Sequence, residues 1–95
     1  MKYFDWDEEK NALLKKERDI SFEDVKLAIE EKRVLALTKH PNQKQYPHQQ
    51  MWIVEIDNYA YLVPFVEDDE KVFLKTIIPS RKATKKYLYR KEGRK

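Results

Sequence analysis

The hydrophobic period of this chain changes near Arg33 from the spacing of a helix to that of a strand, and this change constrains the fold most. Before it, Phe22 and Val25 begin an apolar stripe at helical spacing. After it, Trp52 and Val54 fall on one face at a period of two. The two patterns predict an α+β fold, with two N-terminal helices packed on an antiparallel sheet of about four strands and a basic C-terminal helix.

The first helix carries a clear start signal. Asp7 is placed as its N-cap, and the acidic residues Glu8 and Glu9 follow in the first turn, where they complement the helix dipole. Basic residues occupy its expected last turn. Leu13 and Leu14 are expected to provide its apolar contact with the rest of the fold.

The start signals of the second helix are stronger than those of the first. Ser21 and Asp24 stand at capping-box spacing, and Ile20 and Val25 are placed as a hydrophobic staple. The helical pattern is expected to end near Lys32, where the strand pattern takes over.

The rest of the chain reads as strands joined by turns. Asp57 and Asn58 signal a tight hairpin turn without glycine. Pro64 lacks a ladder donor, so we expect a bulge or an unpaired register there. In the last run, Val72 and Ile78 are expected to share one face. The expected strands cover residues 3–6, 33–38, 51–56, 59–66 and 71–78.

Composition excludes several classes of site. The chain has 95 residues and no cysteine, which excludes disulfides, zinc–thiolate centres and thiol catalysis. Its single glycine, Gly93, leaves no phosphate loop or dinucleotide fingerprint. Apolar runs are far shorter than the roughly 18 residues that cross a bilayer. We expect one soluble, cytoplasmic domain over residues 1–95, with 92–95 as a flexible tail.

Positive charge is concentrated in one segment. Residues 81–95 hold eight Lys/Arg and one acidic residue, a balance of +7, whereas residues 1–80 hold twelve and sixteen, a balance of −4. Ser80 is expected to cap a final helix reaching about residue 91, which puts Arg81 and Lys82 in its first turn. Cations there oppose the helix dipole, so together with free N–H groups they predict an anion site. The alternative is a basic helix that only aids solubility.

Other residues are candidates for contacts with nucleic acid. Lys75 extends the positive surface, with Phe73 as a stacking platform, unless the final helix covers Phe73. The polar connection after the second strand carries Tyr46, His40 and His48, from which an acid–base pair can be drawn, or which form hydrogen bonds in an exposed loop. No metal or cofactor is expected.

Three segments together resemble one protein family. They are residues 4–10 (FDWDEEK), 20–24 (ISFED) and 77–84 (IIPSRKAT). The chain is similar over about residues 4–90 to the BrnT family of type II toxin–antitoxin toxins, with its W-D-x-x-K start, V-S-F-E-E helix opening and I-I-S-A-R-R/K-A ending. The residues that match this pattern are Trp6, Asp7, Lys10, Phe22, Arg81 and Ala83.

The resemblance implies a RelE/ParE-like fold and a metal-independent ribonuclease that blocks translation and growth. It also implies a cognate antitoxin of the ribbon-helix-helix type, bound as a pair or in a heterotetramer. This chain departs from the family pattern at Leu14, Glu17, Arg18, Asp19, Gln49 and Gln50.

These considerations define the candidate site. The predicted catalytic residues are Arg81, Lys82, His48 and Tyr46. The predicted RNA-binding residues are Lys75, Lys39, Lys85, Lys86 and Tyr89. Two other classes stay open: a toxin of the same fold that inhibits DNA gyrase without catalysis, and a nucleic-acid-binding regulatory module.

Overall fold

The computed structural model describes residues 2–39, 44–45 and 49–89, with the side chain of Tyr89 excepted. The fold is α+β, as the sequence predicts. Its elements in chain order are β1 (Tyr3–Asp5), α1 (Glu8–Arg18), α2 (Phe22–Glu30), β2 (Val34–Lys39), β3 (Gln50–Ile56), β4 (Tyr59–Glu67), β5 (Lys71–Leu74), β6 (Ile78–Pro79), α3 (Arg81–Thr84) and a π-helical turn (Lys85–Tyr89). None of the helices in these residues is long and apolar enough to cross a membrane.

The sheet has six strands in the described residues, rather than about four. Its order is β1-β5-β4-β3-β2, and β6 also pairs with β4. All pairs are antiparallel except β1 with β5, which is parallel. The parallel pair was not predicted, because the two strands lie far apart in the sequence and no local signal shows which strands become neighbours.

The local helix signals are confirmed. The Asp7 carboxylate accepts hydrogen bonds from the backbone N–H groups of Glu9 and Lys10 at 2.9 and 3.4 Å. Ser21 and Asp24 form the reciprocal capping box. The second helix ends at Glu30, slightly before the expected end.

The predicted apolar contact of α1 is confirmed for Leu14 and wrong for Leu13. Leu14 is buried, whereas Leu13 is 50 % exposed. Adjacent helical positions are about 100° apart on the surface, so only one of the pair can face the sheet.

The C-cap of α1 places a residue other than glycine in the left-handed backbone conformation. Asp19 has φ 56° and ψ 39°, in the left-handed region, and its N–H donates to the carbonyl of Lys15. Glycine is the residue that occupies this cap position most easily, because it has no Cβ.

We therefore expect Asp19→Gly to raise the free energy of unfolding by about 0.5–1 kcal/mol. Urea denaturation would measure this gain. Asp19→Ala is the matched control, since it keeps a Cβ at the same positive φ and should be less stable than the glycine variant. An Asp19→Gly protein less stable than the starting chain would contradict the strain argument.

The hairpin turn is confirmed. Asp57 and Asn58 both have positive φ, as a two-residue hairpin loop requires. The bulge expected at Pro64 is absent on the β3 side, but on the side of β5 and β6 Val63 and Pro64 have no pairing partner among the described residues, as an unpaired register predicts. Pro64 pairs in register with Met51, and the register shift lies instead in β2, between Val34 and Ala36. The Pro64 carbonyl accepts from Lys75 N–H at 2.8 Å, on the side of β5 and β6. In a strand, the N–H and C=O groups of one residue point to the same side. The Pro64 nitrogen, which has no hydrogen to donate, therefore faces the gap between β5 and β6.

The predicted strand over 71–78 is broken into β5 and β6. Between them, the carbonyl of Ile77 accepts a hydrogen bond of 3.0 Å from the Arg18 guanidinium. The break changes the alternation, so Ile77 is fully buried and Ile78 is 40 % exposed, the reverse of the expected pattern. Val72 and Leu74 do share the core face.

The two sides of the sheet carry different elements. On one side, here called the helix face, α1 and α2 pack over the main core, which includes Phe22, Val54, Phe65 and Leu74. The other side, here called the groove face, has a smaller cluster built on Ile53, Ala60 and Ala83. The C-terminal helical segment therefore lies on the side opposite the N-terminal helices.

Candidate nucleic-acid interface

Buried and partly buried hydrogen bonds fix the start of the basic helical segment on β4. Ser80 caps α3 by accepting from Ala83 N–H at 3.0 Å, and its own N–H donates to the Ala60 carbonyl. The Thr84 hydroxyl donates to the Ser80 carbonyl at 2.7 Å and accepts from Ala60 N–H at 2.9 Å. Thr84 is 1 % exposed. The position of every cation in this segment therefore depends on a Ser80–Thr84–Ala60 clamp.

Thr84→Val should loosen this clamp without changing the shape of the side chain. The buried N–H of Ala60 would lose its acceptor, at a cost of about 1–3 kcal/mol in the free energy of unfolding. Thr84→Ser is the control, because it keeps the hydroxyl. Urea denaturation of both variants checks the result; a Thr84→Val protein as stable as the starting chain, beside a destabilised Thr84→Ser protein, would show that the methyl group rather than the hydrogen bonds holds the segment.

Four cations project from this segment into solvent. Arg81, Lys82, Lys85 and Lys86 are all exposed, and residues 81–89 contain no acidic residue. None of the four forms an ion pair with another residue in the described part of the chain. The Lys86 ammonium lies 5.3 Å from the ring centre of Tyr87. The segment thus presents positive charge that nothing described in the fold neutralises.

A groove of about 250 Å³ lies between this segment and the sheet. Ile53, Leu62 and Ala83 give it an apolar floor, and two lysines stand at its rim. Such a combination suits a flat apolar ring that carries an anionic group. The lining residues are Thr38, Ile53, Leu62, Ser80, Lys82, Ala83, Lys86 and Tyr87.

The predicted cations divide into two rows. Lys82 and Lys86, four residues apart, both line the groove. Arg81 and Lys85, also four apart, are exposed but do not line it. Lys39 lies on the helix face, because it pairs with Gln50, which alternates onto the same side as the core residue Trp52. The structure therefore brings Lys82 and Lys86 together and separates Lys39 from them.

A second group of cations surrounds Phe73. The ammonium groups of Lys75 and Lys71 lie 5.8 and 6.0 Å from its ring centre. Lys71 also pairs with the Asp5 carboxylate at 3.3 Å. Phe73 is half-buried and does not belong to the cluster around Ala83 in the described residues, so the final helical segment does not cover it there.

Several predictions lie outside the described residues. They concern Tyr46, His40 and His48, together with the side chain of Tyr89 and the end of the final helix beyond residue 89. In the described ranges, no group of three or more His, Cys, Asp or Glu residues could hold a metal ion.

The two N-terminal segments of the family resemblance have structural roles. The Trp6 ring stacks on Phe22 with centroids 5.7 Å apart. The Asn11 side chain accepts from Phe22 N–H at 2.7 Å and donates to the Glu23 carboxylate at 2.9 Å. This hydrogen bond from Asn11 lowers the pKa of Glu23 from its ordinary value. These contacts join α1 to α2, whereas Arg81 and Lys82 in the third segment are exposed and make no ion pair within the described residues.

Sequence reasoning missed the residues that build the groove around its lysines. Thr38 and Leu62 read only as strand residues, and nothing local indicated that they would face the final helix. Thr84 could have been noticed, because a hydroxyl residue four positions after an N-cap serine can bond back to its carbonyl.

No protein-family model matches the chain, and neither the curated proteins nor the solved structures contain a significant match to it.

Proposed function

We propose that this protein is the toxin of a type II toxin–antitoxin system, a metal-independent ribonuclease that acts on RNA in the cytoplasm and blocks growth. The observation that carries the proposal is the unneutralised row of cations at the rim of an apolar groove. Four exposed cations without ion pairs in the described residues, two of them lining the groove, match the charge and the flat rings of RNA. The resemblance in three ordered segments supplies the class of activity.

The proposed chemistry uses the RNA's own 2′-hydroxyl. Its oxygen attacks the adjacent phosphorus and the 5′-oxygen of the next nucleotide leaves, which gives a 2′,3′-cyclic phosphate and a free 5′-hydroxyl. One group takes the proton of the 2′-hydroxyl and another protonates the leaving oxygen. Lys82 and Arg81 would stabilise the negative charge of the transition state. Tyr46 and His48 remain the proposed proton carriers from sequence alone.

The proposed partner is a cognate antitoxin of the ribbon-helix-helix type. Acidic or aromatic side chains of such a partner would cover the exposed cations of the groove face, and a heterotetramer is one arrangement that the resemblance implies. Binding of this kind would block RNA by occupying the same positive surface.

Induction of the protein in a bacterial host tests the proposal. We expect growth arrest with loss of intact RNA, and we expect Arg81→Ala to abolish the arrest at equal protein abundance. Lys26→Ala is the matched control, since Lys26 is exposed on α2, on the helix face. RNA integrity, plasmid supercoiling and growth would be followed together.

The results of this experiment distinguish a ribonuclease toxin from a gyrase inhibitor and from a regulatory module. Arrest with intact RNA and altered supercoiling would favour gyrase inhibition instead. RNA binding without cleavage or arrest would favour a regulatory module. An Arg81→Ala protein that still arrests growth would remove Arg81 from the site.

A further inference from the structure

Phe73 and Lys75 lie on the same side of the sheet as the groove. In β4, Ala60 and Leu62 face the groove side, so Val66 does too at a period of two. Val66 pairs directly with Phe73, and directly opposed residues share a face. The Lys75 ammonium, 5.8 Å from the Phe73 ring centre, therefore extends this group on the groove face.

An exposed apolar residue, Ile78, lies between the groove and Phe73. Ile78 pairs with Leu62, which lines the groove, and it is 40 % exposed. The break between β5 and β6 places Ile78 on the groove face, where no described cluster covers it. The apolar floor thus continues from Leu62 over Ile78 toward Phe73.

The distance between the groove and Phe73 suits a short stretch of single-stranded nucleic acid. Leu62 and Val66, which mark the groove and Phe73 on β4, are four residues apart, or about 13 Å at ~3.3 Å per residue. A stacked strand advances ~3.4 Å per nucleotide, so the two contact points are about four steps apart and a strand with a base at each needs about five nucleotides.

The charges favour a phosphate near Lys75. The neighbouring Lys71 is already paired with Asp5 at 3.3 Å, whereas Lys75 has no ion pair with any described residue. Lys75 also directly follows β5, at the end of the strand nearer the groove and away from the acidic turn that follows β4. Its ammonium is therefore available to a backbone that leaves the groove in this direction.

We infer that the groove and the Phe73–Lys75 platform are two contact points on one path for single-stranded RNA, a refinement that rests on the proposed function. The groove, at about 250 Å³, is smaller than the ~300–1,000 Å³ of pockets for drug-sized ligands and suits one base. Phe73 stacks a second base, about four nucleotide steps away, and Lys75 contacts one of the phosphates between the two bases. Paired bases in an RNA duplex cannot reach either place, so the substrate is single-stranded.

Binding of fluorescein-labelled 2′-O-methyl RNA, which has no free 2′-hydroxyl and is not cleaved, tests the path. Two single strands, of about four and about twelve nucleotides, would be compared with a hairpin duplex. We expect the longer strand to bind best and the duplex to bind least. Phe73→Leu should weaken binding of the longer strand by about fivefold to a hundredfold, the usual range for losing one stacked base.

Lys75→Gln provides a second readout that a packing defect would not produce. It should reduce the slope of log affinity against log salt by about 0.7, the value for one phosphate contact on a single strand. Lys26→Gln, a neutralisation on the other side of the sheet, is the control and should leave the slope unchanged. Thermal unfolding of each variant establishes that it is folded.

The outcomes distinguish this inference from the proposed function. If Lys82→Glu weakens binding while folded Phe73→Leu and Lys75→Gln proteins bind as before, the path is wrong and the groove remains the RNA site. If the duplex binds as well as the single strand, the path is also wrong. If no RNA binds the starting protein, the proposed function itself is contradicted.

Discussion

Reversing both groove lysines, Lys82→Glu with Lys86→Glu, is expected to abolish growth arrest and to weaken RNA binding at least about a hundredfold. Each lysine would lose a charged contact worth about 1.5 kcal/mol or more, and two such contacts multiply to this factor. Growth after induction and binding of uncleavable RNA would measure the two effects.

The same variant should be no less stable than the starting protein. Lys82 stands in the first turn of the helical segment formed by α3 and the π-helical turn, where a cation opposes the helix dipole and an acidic residue complements it. If the variant loses activity but its thermal stability is unchanged or improved, Lys82 and Lys86 serve binding at a cost to folding stability. A large fall in stability would instead show that these lysines support the fold.

A matched reversal on the other side of the sheet controls for net charge. Lys16→Glu with Lys26→Glu changes the net charge by the same amount, and both lysines are exposed on the N-terminal helices. We expect this protein to keep nearly all RNA binding at moderate salt, since exposed charges farther apart than about 10 Å are largely screened at 0.1 M. Equal losses in both double variants would mean that only overall charge matters.

Phe22→Ala is expected to lower the free energy of unfolding by about 3–5 kcal/mol. Phe22 is fully buried and stacks on Trp6, and its N–H donates to the buried Asn11 side chain. Removing the ring leaves a cavity at the junction of α1, α2 and the sheet. Domains of this size are stable by about 5–15 kcal/mol, so a large share of stability would be lost.

Urea denaturation of Phe22→Ala beside Phe22→Leu measures this effect. The leucine variant keeps most of the apolar volume and should lose much less. The Phe22→Ala protein that remains folded should still bind RNA, since Phe22 lies on the helix face and not in the groove. Full stability with lost RNA binding would contradict the structural role given to this position of the family pattern.

The features predicted correctly are those set by neighbours in sequence. The Asp7 cap, the Ser21–Asp24 capping box and the Asp57–Asn58 turn each involve groups within a few residues of one another. A short polar side chain reaches its backbone partner whatever the rest of the chain does, so residue type and spacing suffice to predict these contacts.

Apart from Leu13, where helical spacing lets only one of two neighbours face the core, the errors concern contacts between distant segments. The strand over 71–78 reads as continuous until Arg18, 59 positions away, binds the Ile77 carbonyl in the break. The sequence predicts an unpaired register at Pro64, but only the pairing of β4 with β5 and β6 shows that the unpaired side faces the gap between those two strands. In both cases, a contact with a segment distant in sequence decides the local structure.

The candidate site shows the same division between local and distant contacts. The surplus of cations after the Ser80 cap can be read from the sequence, because charge and the start of a helix are local properties. That Lys82 and Lys86 line a groove with Thr38 and Leu62, and that Lys39 lies on the other face of the sheet, is seen only in the folded protein. A helix packs on whichever apolar surface remains uncovered after the strands have paired, and the pairing of distant strands is not a local property.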